Sequence, residues 1–214
     1  MYDVAIIGGG VVGCAIAREL SRYQLRVALV EKRAEVGFGT TKTNSGIIHA
    51  GHHSPPDTLK GQLAVRGNAL FDTLHQELSF GFRRIGELVV AQRAEDLLVL
   101  DGLKEQGGKK GVPGLEIWDR ERLRREEPNL SKTLLAALHA PTAGVINPYE
   151  FCFNLMECAR RNGVEILVES PVTGIDVRGD HFAIKTPRHL VHARRVVNAA
   201  GLYADAVARM AVSY

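Results

Sequence analysis

The start of the chain contains two apolar runs with a helical pattern of apolar residues between them, which predicts two buried strands joined by one helix. Val4–Ile7 is a continuous apolar run that ends at glycine, as is typical of a short strand covered on both faces of a parallel sheet. Ala15, Ile16 and Leu20 then recur at helical spacing, and Val27–Val30 is a second apolar run. The pattern predicts a strand–helix–strand unit at the start of an α/β fold.

Apolar periodicity continues through the middle of the chain. Residues 59–78 are predicted to form a helix whose stripe of Leu63, Leu70, Leu74 and Leu78 is expected to lie in the core. Further elements are predicted from the same pattern and from helix-ending glycine and proline: strands within 86–92, 134–144 and 164–169, helices within 94–111, 119–128 and 147–163, several short strands in 172–201, and a last helix from about Tyr203. For the helix within 147–163, Asn147 can cap the start, Pro148 suits the first position and Glu150 completes a capping box.

Glycines follow the first strand at the spacing GxGxxG. Gly8 would permit the tight turn, Gly10 would let the backbone approach a pyrophosphate, and Gly13 would let helix pack on strand. The phosphates would meet the helix amino end, where free N–H groups and the positive end of the helix dipole stabilise negative charge. Glu31 closes the second strand, where its carboxylate can bind ribose hydroxyls and repel a 2′-phosphate, so NADP is disfavoured. A glycine turn that only tightens packing is the alternative.

The segment after Glu31 indicates which dinucleotide is bound. Residues 32–53, KRAEVGFGTTKTNSGIIHAGHH, are rich in Gly, Thr, Asn, Ser and His rather than in a further helix and strand. Such a segment can place polar groups over a second phosphate and a ring system, which suits an extended flavin dinucleotide better than a compact nicotinamide site. An NAD-dependent Rossmann enzyme remains the competing class.

The composition indicates which binding partners and which cellular compartment to expect. The net charge is +3, from 27 basic and 24 acidic residues, which gives little reason to expect a nucleic-acid partner. The three cysteines, Cys14, Cys152 and Cys158, form neither a CxxC pair nor an even disulfide framework, so we expect reduced thiols. The sequence has no signal-like start and no apolar run of about twenty residues, so no transmembrane segment is expected. We expect a cytoplasmic protein, with peripheral membrane contact as an alternative.

Three motifs together resemble those of the FAD-dependent oxidoreductases of the D-amino-acid oxidase superfamily. They are the opening glycine motif, NSGIIHAG at Asn44–Gly51, and VVNAAGLYAD at Val196–Asp205. Within that superfamily the chain is most similar to the glycerol-3-phosphate dehydrogenase and L-2-hydroxyglutarate dehydrogenase branch. The resemblance implies an α/β fold, with a Rossmann-like FAD-binding domain of the glutathione-reductase type and an inserted α+β substrate domain. An ordinary strand-to-helix turn is the alternative for NAAG.

The resemblance also implies which residues hold FAD. Gly8, Gly10 and Gly13 would bind the pyrophosphate, and Glu31 would bind the adenosine ribose. Lys32, beside Glu31, is a further expected cofactor-binding residue. The remaining expected cofactor-binding residues are Thr40, Thr41, Asn44 and Ser45 on the phosphate and flavin side, Val172 against adenine, and Ala200 and Gly201 at a strand end close to the cofactor.

The implied reaction is hydride transfer from a small hydroxy acid or glycerol 3-phosphate to the flavin. A base must take the hydroxyl proton, and His49 is the candidate, since imidazole is neutral near neutral pH; a histidine that only fixes its loop is equally compatible. His49, His52 and His53 also suggest a metal site, but no carboxylate or cysteine close by in the sequence completes a ligand set, so no metal is expected. The alternatives are an amino acid oxidase or dehydrogenase of the same superfamily, and a truncated non-catalytic dinucleotide-binding module.

The chain is predicted to contain two domains, one of them in two parts, and to be shorter than the proteins it resembles. We predict a first part of the FAD-binding domain at 1–80, a partial substrate domain at 81–145, and the second part of the FAD-binding domain at 146–214. Members of the resembled family continue well beyond the position matching Tyr214, so the chain is expected to be an amino-terminal fragment, truncated at its carboxyl end, that holds FAD weakly or not at all. The sequence leaves open the substrate and the electron acceptor, which could be oxygen, a quinone or another protein.

Overall fold

A computed structural model describes residues 1–211 of the chain, which fall into two compact units. The first unit comprises Met1–Ser45 and the residues from Asn147 onward, and the second is Gly46–Ile146. The expected boundary at 80/81 therefore differs from the observed one, because residues 46–80 group with the middle of the chain. The assignment of a cofactor role and a substrate role to separate domains stays a prediction.

The elements largely follow the predicted order. The strands are β1 (Tyr2–Ile7), β2 (Val27–Val30), β3 (Ile47–Ile48), β4 (Phe82–Arg84), β5 (Glu87–Ala91), β6 (Glu116–Asp119), β7 (Ala136–Ala140), β8 (Gly144–Ile146), β9 (Glu165–Leu167), β10 (Gly174–Arg178), β11 (His181–Lys185) and β12 (Leu190–Asn198). The helices are α1 (Val11–Leu20), α2 (Leu59–Leu78), α3 (Ala94–Lys109), α4 (Arg120–Glu126), α5 (Pro148–Arg161) and α6 (Ala204–Ala211). The end of the predicted last helix, towards Tyr214, lies outside the described residues.

The first unit is built on a six-stranded sheet in the order β10-β11-β12-β1-β2-β9. Strands β12, β1, β2 and β9 run parallel, whereas β10, β11 and β12 pair antiparallel. Ala5–Ile7 and Val27–Val30 are fully or almost fully buried, as expected for central strands of a covered sheet. The carboxyl ends of β1, β2 and β12 meet at one edge, which is where parallel α/β sheets place ligands.

Helices α1 and α5 pack against each other in this unit. The side chain of Asn147 caps α5 by accepting a hydrogen bond from the Glu150 N–H at 3.2 Å, and Pro148 occupies its first turn, as the sequence predicts. Cys14 of α1 and Cys152 of α5 are buried, with their Sγ atoms 3.6 Å apart. Both are free thiols, and their contact, together with burial, raises the pKa of Cys14 well above its usual range.

The second unit contains two three-stranded sheets, in the orders β3-β8-β4 and β5-β7-β6. Strand β7 is central in the latter sheet and pairs antiparallel with both neighbours. Leu100 of α3 packs in a buried cluster with Leu138 of β7, while Leu123 of α4 packs with Trp118 of β6. The sheet therefore positions Glu87, the first residue of β5, by a regular hydrogen-bonded ladder.

Helix α2 has the predicted bounds, but its predicted core stripe is only partly right. Leu74 and Leu78 are half-buried, whereas Leu63 and Leu70 are 48% and 57% exposed, and the fully buried residues of this helix are Gly61 and Asn68. A Cβ on Gly61 would lie 2.0 Å from the Pro55 carbonyl oxygen, so close backbone packing selects a small residue there. A search for apolar periodicity does not detect such positions. Among the described residues, none of the helices has the length and apolarity needed to cross a membrane.

Candidate functional site

A cleft of about 760 Å³ opens in the first unit where β1, β2 and β12 end. Most of the residues predicted to bind a cofactor lie along its wall: Gly8, Gly10, Glu31, Lys32, Thr40, Thr41, Asn44, Val172, Ala200 and Gly201. Gly13 and Ser45 do not line the cleft, and His49 belongs to the second unit. The fold thus brings together groups that are separated by up to about 190 positions in the sequence.

The three glycines of the opening motif have different surroundings. Gly8 has a φ of +110°, and a Cβ there would lie 2.4 Å from the Ala199 carbonyl oxygen. A Cβ on Gly13 would lie 1.9 Å from the Gly8 carbonyl oxygen, so this glycine permits the helix to pack against the turn. At Gly10 the nearest atom is Thr41 Oγ1, at 3.4 Å. Gly8 and Gly13 are therefore required by the protein's own backbone, whereas Gly10 leaves space in the cleft.

The amino end of α1 faces the same region. Its N-cap, Gly10, has no side chain to satisfy the first N–H groups, and its first turn contains no acidic residue. The Val11 N–H donates to Thr41 Oγ1 at 3.0 Å, so one of these groups has a neutral partner. The helix end therefore retains the partial positive charge that binds anions.

Glu31 is held by two backbone groups. Its Oε2 atom accepts a hydrogen bond from the Gly9 N–H at 2.6 Å, and its Oε1 atom accepts one from the Arg33 N–H at 2.8 Å. A carboxylate has about four acceptor positions, so each oxygen can accept a further hydrogen bond from a hydroxyl group. The side chain is thus fixed at the cleft wall with acceptor capacity left.

A short turn of 3₁₀ helix, Thr40–Lys42, carries the polar segment along the cleft. The Asn44 amide donates to the carbonyl oxygens of Thr41 at 2.6 Å and Thr40 at 3.3 Å. Asn44 therefore stabilises the turn that presents the Thr41 hydroxyl to α1. This contact assigns the asparagine a role in shaping the wall.

Two aromatic residues on the cleft wall were not predicted from the sequence. Lys32 Nζ lies 3.1 Å from the ring centroid of Tyr203, and Lys42 Nζ lies 3.6 Å from that of Phe38. Both are cation–π contacts, the first between residues distant in the sequence and the second between near neighbours. The only signal in the sequence was the presence of each aromatic residue within a polar motif, GFGTT and GLYAD.

In the second unit, His49 lies in a cluster that includes a carboxylate. His49 Nδ1 is 3.1 Å from both carboxylate oxygens of Glu87, and His53 Nε2 is 2.8 Å from Oε1 of the same group. Although no carboxylate lies close to these histidines in the sequence, β5 brings in Glu87, 34 positions after His53. The contact between Glu87 and the histidines was not predicted because these residues lie far apart in the sequence.

The charges of this cluster are set by burial and hydrogen bonds. Burial raises the pKa of Glu87, but hydrogen bonds from His53 and His49 outweigh it, so the pKa lies below its usual value. His52 is fully buried, and its ring nitrogens have no hydrogen-bond partner within residues 1–211. Burial, reinforced by the neighbouring His53, lowers the pKa of His52 to about 4, so it is neutral at neutral pH.

Comparison with known proteins places this architecture in a family. Residues 3–213 match the family model DAO, described as FAD dependent oxidoreductase. Glycerol 3-phosphate dehydrogenase of Caloramator mitchellensis is 47% identical over 98% of this chain and 44% of its own length. The mitochondrial L-2-hydroxyglutarate dehydrogenase of Homo sapiens is 30% identical over 98% of this chain and 48% of its own length.

A solved structure agrees with these relatives. L-alpha-glycerophosphate oxidase from Mycoplasma pneumoniae, determined with FAD bound, superposes with a TM-score of 0.94 at 30% identity, over 98% of this chain and 56% of that one. The chain thus spans about half the length of the relatives it matches. Because the family match covers nearly every residue, the chain belongs to the FAD-dependent oxidoreductases of the DAO family.

Proposed function

We propose that the chain binds FAD in the cleft of the first unit and serves a flavin-dependent dehydrogenase or oxidase. The observation that carries the proposal is the convergence on one cleft of a helix amino end whose N-cap is glycine, the Glu31 carboxylate and the polar turn Thr40–Lys42. These groups match the needs of a ligand with a diphosphate, a ribose and a polar ring system. Family membership supports the same cofactor.

Each wall of the cleft has a distinct task in this proposal. The N–H groups at the amino end of α1, together with the open space at Gly10, receive the pyrophosphate. Glu31 accepts hydrogen bonds from the adenosine ribose, and Val172 presents its backbone to adenine. The remaining proposed contacts on the phosphate and flavin sides come from Gly8, Lys32, Thr40, Thr41, Asn44, Ala200 and Gly201, whereas Gly13 and Ser45 lie outside the cleft lining.

We propose that the substrate is a small hydroxy acid or glycerol 3-phosphate. The relatives at 47% and 30% identity are named for glycerol 3-phosphate and L-2-hydroxyglutarate, and both molecules carry a secondary hydroxyl group and an anionic group. FAD, when bound, supplies the acceptor for the hydride that leaves the carbinol carbon. An amino acid is the alternative substrate class.

The proposed base for the hydroxyl proton is His49. Its Nδ1 faces Glu87, so the favoured neutral tautomer carries the proton on Nδ1 and leaves the lone pair on Nε2. Nε2 is then the atom that takes the hydroxyl proton, while Glu87 stabilises the imidazolium that results. Glu87 acts here as a positioning residue.

Two measurements test the proposal in stages. FAD binding by the chain is tested by equilibrium dialysis, with NAD⁺ as competitor. Uptake of FAD that excess NAD⁺ does not displace supports the proposal, and preferential binding of NAD⁺ contradicts it.

The substrate class is tested on the FAD-loaded protein in its natural full length, by anaerobic bleaching of the flavin. Bleaching by glycerol 3-phosphate or L-2-hydroxyglutarate is expected, whereas bleaching by amino acids alone contradicts this assignment. Reoxidation by oxygen, a quinone or a partner protein, with or without membranes, then identifies the electron acceptor.

A further inference from the structure

We propose that His49, His53 and Glu87 form a binding site for one divalent first-row transition-metal ion, of which Zn²⁺ is the probe. One ligand atom from each residue lies within 4.8 Å of the other two. The site lies in the second unit and its existence does not depend on FAD binding in the first. The inference thus goes beyond the proposed oxidoreductase function.

The donor set fits the coordination chemistry of such an ion. Two imidazole nitrogens and one carboxylate oxygen are characteristic ligands of Zn²⁺ and of related metals, whereas Ca²⁺ and Mg²⁺ favour oxygen alone. Ligands about 2.0–2.1 Å from a tetrahedral zinc lie roughly 3.3 Å from one another. Glu87 Oε1 lies 3.1 Å from His49 Nδ1 and 2.8 Å from His53 Nε2, so each imidazole nitrogen needs to move away from the carboxylate oxygen by only a few tenths of an ångström.

Three separate anchors hold the ligands in place. Glu87 is paired with Ala140 in the β5–β7 ladder, and only 16% of its side chain is exposed. The His49 carbonyl oxygen accepts a hydrogen bond from the buried Asn68 at 3.0 Å. The His53 ring contacts the fully buried His52 ring, with centroids 4.0 Å apart. The donors therefore converge without the ordering cost that a flexible loop would impose.

The site is accessible to solvent, so an ion can enter it and can keep water molecules at its remaining coordination positions. The side chains of His49 and His53 are 52% and 40% exposed, so water can reach an ion that they bind. The metal would replace the two imidazole protons that now face the carboxylate. If His49 Nδ1 binds the metal, the neutral ring carries its proton on Nε2, so His49 could no longer accept a proton there. This consequence, which rests on the proposed function, makes the site inhibitory.

The test is isothermal titration of the whole chain with Zn²⁺, with bound metal counted after dialysis. We expect one tight equivalent per chain and at least tenfold weaker binding in both H53A and E87A. E87Q, which keeps the shape of the side chain and removes its charge, should also weaken binding. Two matched controls should leave this site unchanged: H181A removes an imidazole from the exposed pair His181–Asp180, at 3.0 Å, and C158S removes a partly exposed thiol.

Circular dichroism of each variant separates loss of a ligand from loss of fold. If E87A unfolds, E87Q and H53A decide the matter. Binding that is unchanged in folded H53A and E87Q, or that is lost in H181A or C158S, would overturn the proposal, as would less than about half an equivalent of zinc in the wild-type chain. None of these readouts involves flavin, so a negative result here leaves the FAD proposal standing, and the reverse also holds.

Discussion

The Glu31 carboxylate accepts a hydrogen bond from the Gly9 backbone N–H at 2.6 Å, which ties the end of β2 to the glycine turn after β1. The same carboxylate also accepts from the Arg33 N–H. An acid that the sequence marks as a ribose ligand thus also shapes the turn that is proposed to receive the pyrophosphate. The two functions of Glu31 can be separated by substitution.

Replacing Glu31 should lower the stability of the cofactor-free chain. Hydrogen bonds to charged groups contribute about 1.5–3 kcal/mol each, but water can replace the carboxylate at the exposed Arg33 and not at the buried Gly9. Glu31→Ala should therefore lower the free energy of unfolding by roughly 2 kcal/mol. Glu31→Gln keeps one acceptor oxygen and should lose less. Denaturant unfolding measures both variants. An unchanged stability in Glu31→Ala would show that these backbone contacts contribute nothing.

Valine substitutions at Gly10 and Gly13 should have opposite consequences. A Cβ on Gly10 meets only the Thr41 hydroxyl group within 4 Å, so Gly10→Val should fold but lose FAD affinity by at least about tenfold, or 1.4 kcal/mol. Gly13→Val places its Cβ 1.9 Å from the Gly8 oxygen and should destabilise the chain by about 3 kcal/mol. Thermal unfolding and FAD titration distinguish them. Equal FAD affinity in wild type and Gly10→Val would contradict the site.

Thr41→Val tests the contact at the amino end of α1. Loss of a helix-capping acceptor costs about 1 kcal/mol, and Thr41 Oγ1 accepts from the Val11 N–H at 3.0 Å. The cofactor-free variant should therefore unfold about 1 kcal/mol more easily than wild type. Thr43→Val is the matched control, since the Thr43 hydroxyl group only donates to the Thr40 carbonyl oxygen. Identical stabilities of the two variants would argue against a capping role.

His139 should report pH through the fluorescence of Trp118. Trp118 is the only tryptophan in the sequence, and its ring stacks on His139 with centroids 4.2 Å apart. Burial lowers the pKa of His139 below its usual value of 6.5. Any stability that this depressed pKa contributes is complete above pH 6.5 and is lost as the pH falls through the folded-state pKa.

Tryptophan emission should accordingly fall on acidification, because the imidazolium ring quenches it, with a midpoint below pH 6.5. His139→Gln should give a flat profile over the same range. A midpoint at or above the usual value in the wild-type chain would show that burial does not control this group.

Local pattern was sufficient to predict most of the fold but only part of the site. The runs Val4–Ile7 and Val27–Val30 and the caps of α5 determine their elements through nearest neighbours in the sequence, and these predictions are confirmed. The predicted stripe of α2 was wrong at Leu63 and Leu70 because the fully buried positions of this helix are Gly61 and Asn68. A glycine that permits close backbone approach leaves no apolar signal in the sequence.

The residues missed in the site share another cause. Glu87 meets the histidines, and Tyr203 meets Lys32, only through tertiary contacts that no spacing rule encodes. The glycines and Glu31, by contrast, belong to a local strand–turn–helix–strand unit whose geometry is fixed by the chain itself. Sequence motifs therefore identify the residues of a site that belong to one continuous segment of the chain.

Binding of FAD at the amino end of α1 is best tested by equilibrium dialysis of the wild-type chain and of Gly10→Val against FAD. At saturating FAD, which compensates for the weak affinity expected of a partial chain, the wild-type chain should bind close to one FAD. Excess NAD⁺ should not reduce this amount, and a folded Gly10→Val should bind much less. Equal FAD uptake by both proteins, or displacement of FAD by NAD⁺, would contradict FAD binding at this site.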